Sequence, residues 1–114
     1  MYSIFVQIAS YRDPELIPTL HSLIKNAKYP EQLTICVAHQ HSSKDKWDTL
    51  EEFKNDSRFI IIDIPHTESM GTCWARNQIQ QHYSSEYFTL HLDSHHRFVK
   101  NWDDKCVQMF FRLR

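Results

Sequence analysis

No apolar run in this chain approaches the ~20 residues that a bilayer-spanning helix needs. Nor does it open on a charged segment, an apolar stretch and a small-residue cleavage site, the pattern of a secretory leader. It has no CxxC pair: Cys36, Cys73 and Cys106 are scattered, and an odd, dispersed set points to reduced thiols in a cytosolic or nuclear compartment. A net charge of −1 gives no basis for nucleic acid or an anionic membrane as partner. There is no internal repeat, low-complexity stretch or linker. Glycine is nearly missing, with Gly71 the only one, whereas histidine occurs eight times. At 114 residues, 41% hydrophobic and 24% charged, the chain has material for one globular domain with one core.

Strand and helix patterns alternate. Ser3 to Ala9 reads as a first strand. Asp13-Pro14-Glu15 then opens a helix, with Asp13 as N-cap and Pro14 at the first helical position. Leu16, Leu20, Leu23, Ile24 and Ala27 continue it at helical spacing, and Pro30 follows its end. Leu33 to His39 is the second strand. Ser42-Ser43 caps an expected polar helix carrying Trp47, Leu50 and Phe53. Arg58 to Ile64 is the third strand, and a helix spans about Thr72 to Tyr83. Tyr87 to Leu92 is the fourth strand. A last helix runs from Asn101, with Trp102, Cys106, Met109, Phe110 and Leu113 on one face. Its pattern continues to Arg114 without a stop signal, as in a chain that is cut rather than finished. The order predicts an α/β fold: a parallel sheet of about four strands in order 3-2-1-4, with helices on both faces.

Ligands of open parallel sheets bind beyond the carboxyl ends of the strands. Four polar clusters follow those ends: Ser10-Tyr11-Arg12, His39-Gln40-His41, Pro65-His66 and Asp93-Ser94-His95. In extended chain, residues i and i+2 face one side, so Asp93 and His95 can offer a carboxylate and an imidazole to one cation. That O/N pair suits Mn²⁺ better than Ca²⁺. A surface turn with an aspartate and two unrelated histidines has the same spacing. Gly71 precedes a helix N-terminus, where backbone amides favour anions. Arg76, one turn in, can reach a phosphate or pair with Asp93, or simply be a solvated arginine.

The motifs together resemble a known family. Ile8-Ala9-Ser10-Tyr11-Arg12-Asp13-Pro14, Gly71 to Arg76, Asp93-Ser94-His95-His96-Arg97-Phe98 and Trp102-Asp103 are similar, in the same order, to the polypeptide N-acetylglucosaminyltransferases that modify hydroxyproline. The resemblance implies the Rossmann-like, nucleotide-binding half of a GT-A domain over residues 1–114, the acceptor half being absent. It implies Asp93 and His95 as ligands of Mn²⁺ or another divalent cation. It implies Ser10, Tyr11, Arg12, Gln40, Arg76 and Ser94 around the nucleotide, UDP-GlcNAc as donor and a protein hydroxyl as acceptor. No nucleophile or base can be assigned. Other classes also fit: a non-catalytic nucleotide- or metal-binding module, or a nucleotidyltransferase-like protein. Self-association through exposed apolar surface is a further expectation.

Several tempting residues have plainer explanations. Asp13 matches the family motif, yet capping alone accounts for it. His91 and His95 have the spacing of a helical zinc pair, but they lie in a strand, where His91 is expected to line the core or a neighbouring helix. His96 should face away from the metal. His39, His41 and His66 read as surface residues of the rim, and His21 and His82 as helix residues without a role. Trp47, Trp74 and Trp102 read as core.

Overall fold

The computed structural model describes residues 2–113; the chain end at Arg114 lies outside them. Seven regular elements alternate: β1 (Ile4–Tyr11), α1 (Leu16–Lys25), β2 (Leu33–His41), β3 (Phe59–Pro65), α2 (Thr72–Gln80), β4 (Phe88–Asp93) and α3 (Trp102–Arg112). The strands form one parallel sheet in the order β3-β2-β1-β4, as expected. β1 lies inside the sheet and is covered on both faces, which is why it is apolar almost without interruption. Ile4, Val6 and Ile8 face the α1 side, with Ile35, Val37, Leu20, Leu23 and Trp102. Phe5 faces the other side, with Cys36, Ala38, Ala75 and Ile79. Burial pushes the Cys36 thiol up to about 12, so it stays protonated and unreactive.

Strand alternation changes at the edge. Along β4, Phe88, Leu90 and Leu92 pack towards α1 and α3, whereas Thr89, His91 and Asp93 are exposed. Of the two expectations for His91, the core is corrected, since α2 packs over β1 and β2 and leaves His91 exposed; it does share an open cleft with Gln80 at the end of α2.

Other boundaries shift for local reasons. β1 and β2 each continue two residues beyond the predicted ends, because the register pairs Ser10 with His39 and Tyr11 with Gln40. The helix expected after Ser42 does not form; only a 3₁₀ turn at Glu51–Phe53 does. Ser42 Oγ accepts the Lys44 amide at 3.2 Å and makes a turn, while Asp45 and Asp48 are engaged by residues on strands or their ends. Leu50 and Phe53 reach the core, but Trp47 is 47% exposed, contrary to its core assignment; Trp102 is buried. α1 begins at Leu16 with Glu15, not Asp13, at its cap position, so Pro14 precedes the helix; the Asp13 carboxylate instead accepts the Glu15 amide at 2.9 Å in the turn leading into it.

The start of α3 is anchored most firmly. Trp102 is 4% exposed, and its indole donates to the Leu23 carbonyl at 2.8 Å. The buried Asp103 carboxylate accepts the amides of Lys28 and Tyr29 at 2.7 and 2.9 Å, just beyond the end of α1. Met109, Phe110 and Leu113, predicted on the packed face, are largely exposed. Replacing Asp103 by alanine strands two amides and is expected to cost about 2–3 kcal/mol. Urea unfolding checks this, with the midpoint falling at an unchanged slope.

Candidate functional site

The carboxyl edge of the sheet gathers the predicted residues, because β4 lies beside β1. Ala9 pairs with Asp93 in register, so the Asp93-Ser94-His95 turn emerges next to Ser10-Tyr11-Arg12. This turn is stitched along α1. Thr19 Oγ1 donates to the Ser94 carbonyl at 3.0 Å and accepts the His96 amide at 2.9 Å. Ser22 Oγ accepts the Phe98 amide at 2.9 Å, and Arg97 pairs with Glu15 at 2.6 Å. Arg97 and Phe98 thus shape the turn.

Asp13 is the centre of the arrangement. Beyond the turn leading into α1, its Oδ2 accepts Ser94 Oγ at 2.5 Å and lies 3.1 Å from His95 Nδ1. Burial would raise the pKa of this carboxyl. Hydrogen bonds from Ser94, the Glu15 amide and His95 outweigh that effect and hold it below its ordinary value. The His95 side chain is 66% exposed, and with Nδ1 at Asp13 its Nε2 is left for a ligand. Asp93 is exposed at the end of β4, with no side-chain hydrogen bond or ion pair among the described residues. An open carboxylate and an imidazole oriented by a carboxylate are the donor types a hard-to-borderline divalent cation takes. The residues present fit such an ion.

The six predicted nucleotide-binding residues divide into two groups. Tyr11, Arg12 and Arg76 are exposed. Tyr11 stands edge-on to His66, with centroids 6.2 Å apart. Arg12, at φ 48°, turns towards the loop after β2 and grips Asp45 through two bonds of 2.6 and 3.1 Å. That hydrogen bonding keeps the Asp45 carboxyl below the usual range. Arg76 forms no ion pair with Asp93. Ser10, Gln40 and Ser94 are buried. The Gln40 amide donates to the Ser10 carbonyl at 3.1 Å, and its oxygen accepts from Ser69 Oγ. Ser69 Oγ also accepts the Gly71 amide at 3.3 Å. This chain of bonds fixes the approach to α2 from the tips of β1 and β2. Gly71 has φ 100°, and a Cβ there would meet no atom within 4 Å, so backbone angle and not crowding selects glycine.

Two polar groupings escape sequence reasoning. Asp13 was explained by capping alone, although strand order 3-2-1-4 already puts the loops after β1 and β4 side by side. His39, expected on the surface, is 4% exposed and 2.8 Å from the buried Asp48. No spacing rule announces that pair. His41 is half-buried against Asp63.

A protein-family model described as Glycosyltransferase (GlcNAc) matches residues 3–58 and 46–114. No curated protein matches the chain, and no solved structure does.

Proposed function

Because the chain belongs to the glycosyltransferase (GlcNAc) family, we propose that it supplies the donor half of a UDP-GlcNAc-dependent transferase acting on a protein hydroxyl of the hydroxyproline type. The observation that carries this reading is His95 held by Asp13 at 3.1 Å, two residues from the unpartnered Asp93, which lies beside the end of β1. Asp93 and His95 would hold Mn²⁺ or a similar ion, which when bound neutralises the departing diphosphate. Asp13 fixes the His95 ring, and Ser94, turned inward, helps hold Asp13 rather than the nucleotide. Tyr11 offers an aromatic face for the nucleoside, and Arg12, once it exchanges Asp45, a charge for its ligand. Arg76 and the free amides at the start of α2 are placed for phosphate oxygens. Because the charge of the leaving group grows as the sugar bond breaks, fixed positive groups act most strongly at the transition state.

No helix among the described residues is long and apolar enough to cross a membrane. The cytoplasmic location follows only from the scattered, free cysteines. Self-association belongs to the same proposal, through the exposed Tyr2, Tyr87, Met109 and Phe110.

Calorimetric titration with UDP-GlcNAc, with and without Mn²⁺, tests the reading. Binding is expected only or mainly with the ion, and more tightly than for other nucleotides. Transfer to a hydroxyproline peptide by this chain alone should be slight. Metal-independent binding of any nucleotide would favour a non-catalytic module, and a preference for a nucleoside triphosphate a nucleotidyltransferase-like protein.

A further inference from the structure

A second constellation of metal-ligating groups lies across the sheet. His39 and His41, two apart on β2, share a face, and their rings stack with centroids 4.5 Å apart at 15°. Asp63 on β3 pairs with His39 in register and reaches His41 Nε2 through a carboxylate oxygen. One donor atom each from His39, His41 and Asp63 lies within 4.8 Å of the others. Asp48 approaches from the β2–β3 loop: its Oδ1 lies 2.8 Å from His39 Nε2, and its Oδ2 is buried without a hydrogen-bond partner. All four residues line a cavity of about 590 Å³, open to solvent on the Asp63 side.

We propose that His39, His41, Asp63 and Asp48 form a zinc site separate from the Asp93–His95 edge. Two imidazoles with two carboxylates are a donor set for Zn²⁺, and the two carboxylates balance its charge. Zinc–ligand distances of about 2.0–2.1 Å put tetrahedral donors about 3.3 Å apart. The donors of His39, His41 and Asp63, all within 4.8 Å of one another, therefore need shifts of about 1 Å or less, and Asp48, already 2.8 Å from His39, turns in beside them. A cation also answers the orphaned Asp48 oxygen, since a buried carboxylate lacking a partner is costly. The site lies on the α1-facing side of the sheet, on β2 and β3. Asp93 lies on the opposite side, on β4, roughly 10–14 Å away at the usual strand spacing. The inference does not depend on the glycosyltransferase reading.

The test is titration of the whole chain with Zn²⁺ in excess Mg²⁺, and with Co²⁺ followed by its visible absorption. One Zn²⁺ per chain and tetrahedral-type Co²⁺ bands are expected. His41→Ala and Asp63→Asn remove ligands at the solvent side, where little packing is lost, and circular dichroism checks the fold. Each should weaken Zn²⁺ at least tenfold and diminish the Co²⁺ bands. The Asp93→Ala/His95→Ala double variant should keep both. Absence of Zn²⁺ binding, or binding unchanged in His41→Ala and Asp63→Asn, overturns the site. So does binding lost only in the Asp93/His95 variant.

Discussion

Replacing Asp93 by alanine is expected to weaken UDP-GlcNAc binding in Mn²⁺ at least tenfold, about 1.4 kcal/mol, and to reverse sign in chelator. With the ion present, the substitution removes one of its two ligands from this segment. Without the ion, the exposed carboxylate of Asp93 repels the donor's diphosphate, having no cationic partner among the described residues to offset it. Asp93→Ala should therefore bind the donor no worse than the natural chain, or slightly better, once Mn²⁺ is chelated. His95→Ala shares the loss in Mn²⁺ but not the gain in chelator, because imidazole brings no negative charge. His96→Ala should change affinity far less: its ring packs against Phe98, 4.9 Å between centroids, and its amide is held by Thr19. Equal weakening in both metal conditions for Asp93→Ala would mean that the carboxylate acts on the fold and not on a cation.

Asp13 is expected to give the second large effect, on two observables at once. Asp13→Ala removes the acceptor of the Glu15 amide, of the buried Ser94 hydroxyl and of His95. Two stranded donors, one of them buried, cost about 1–3 kcal/mol of stability. The pH dependence has a definite sign. The folded pKa of Asp13 is lowered, so its contribution is present above the unfolded value near 3.9 and lost as pH falls through the folded value. The difference in melting temperature between natural and Asp13→Ala chains should be full at neutral pH and shrink below about pH 4. Asp13→Asn separates stability from metal binding. It keeps an acceptor for the helix start but gives His95 a neutral neighbour, which should weaken Mn²⁺ on the order of 10- to 100-fold. Unchanged Mn²⁺ affinity in Asp13→Asn would reduce Asp13 to a turn residue.

The strand order and the edge location of the site were legible because two patterns are strong. The interior strand β1 is nearly all apolar, and polar clusters follow the strand ends. Alternation by two brought Asp93 and His95 to notice, although β4 ends at Asp93 and His95 lies in the bend beyond it. The β2–β3 connection was not, because Leu50 and Phe53 have the same apolar spacing in a helix as in the observed loop. What decides there is tertiary: Asp45 is gripped by Arg12, and Asp48 is drawn inward to His39. The resemblance that suggests Gln40 and Ser94 as nucleotide contacts does not show that both are buried in hydrogen bonds within the frame. Polar residues beyond strand ends belong to a site's supporting frame as readily as to its surface, and only burial separates the two. The exposed end of α3 defeated the periodicity argument from the other direction. Met109 and Phe110 keep helical spacing with Trp102 but stay exposed, because past Val107 the helix meets only the edge of the sheet, where Phe110 touches Phe88.

The pairing of β1 with β4 also sets a timetable for the molecule's making. Asp13 is separated from Ser94 by 81 residues and from His95 by 82. At about 5–20 residues per second, synthesis of that interval takes roughly 4–16 s. Throughout it, β1 can dock only against β2, and its other edge stays open. Closing so long a loop is slow compared with forming α1, so the Asp93–His95 turn is the last part of the edge to arrive. The nascent chain carries a carboxylate at residue 13 held only by the Glu15 amide, and it acquires Ser94 and His95 only when β4 zips onto the waiting strand.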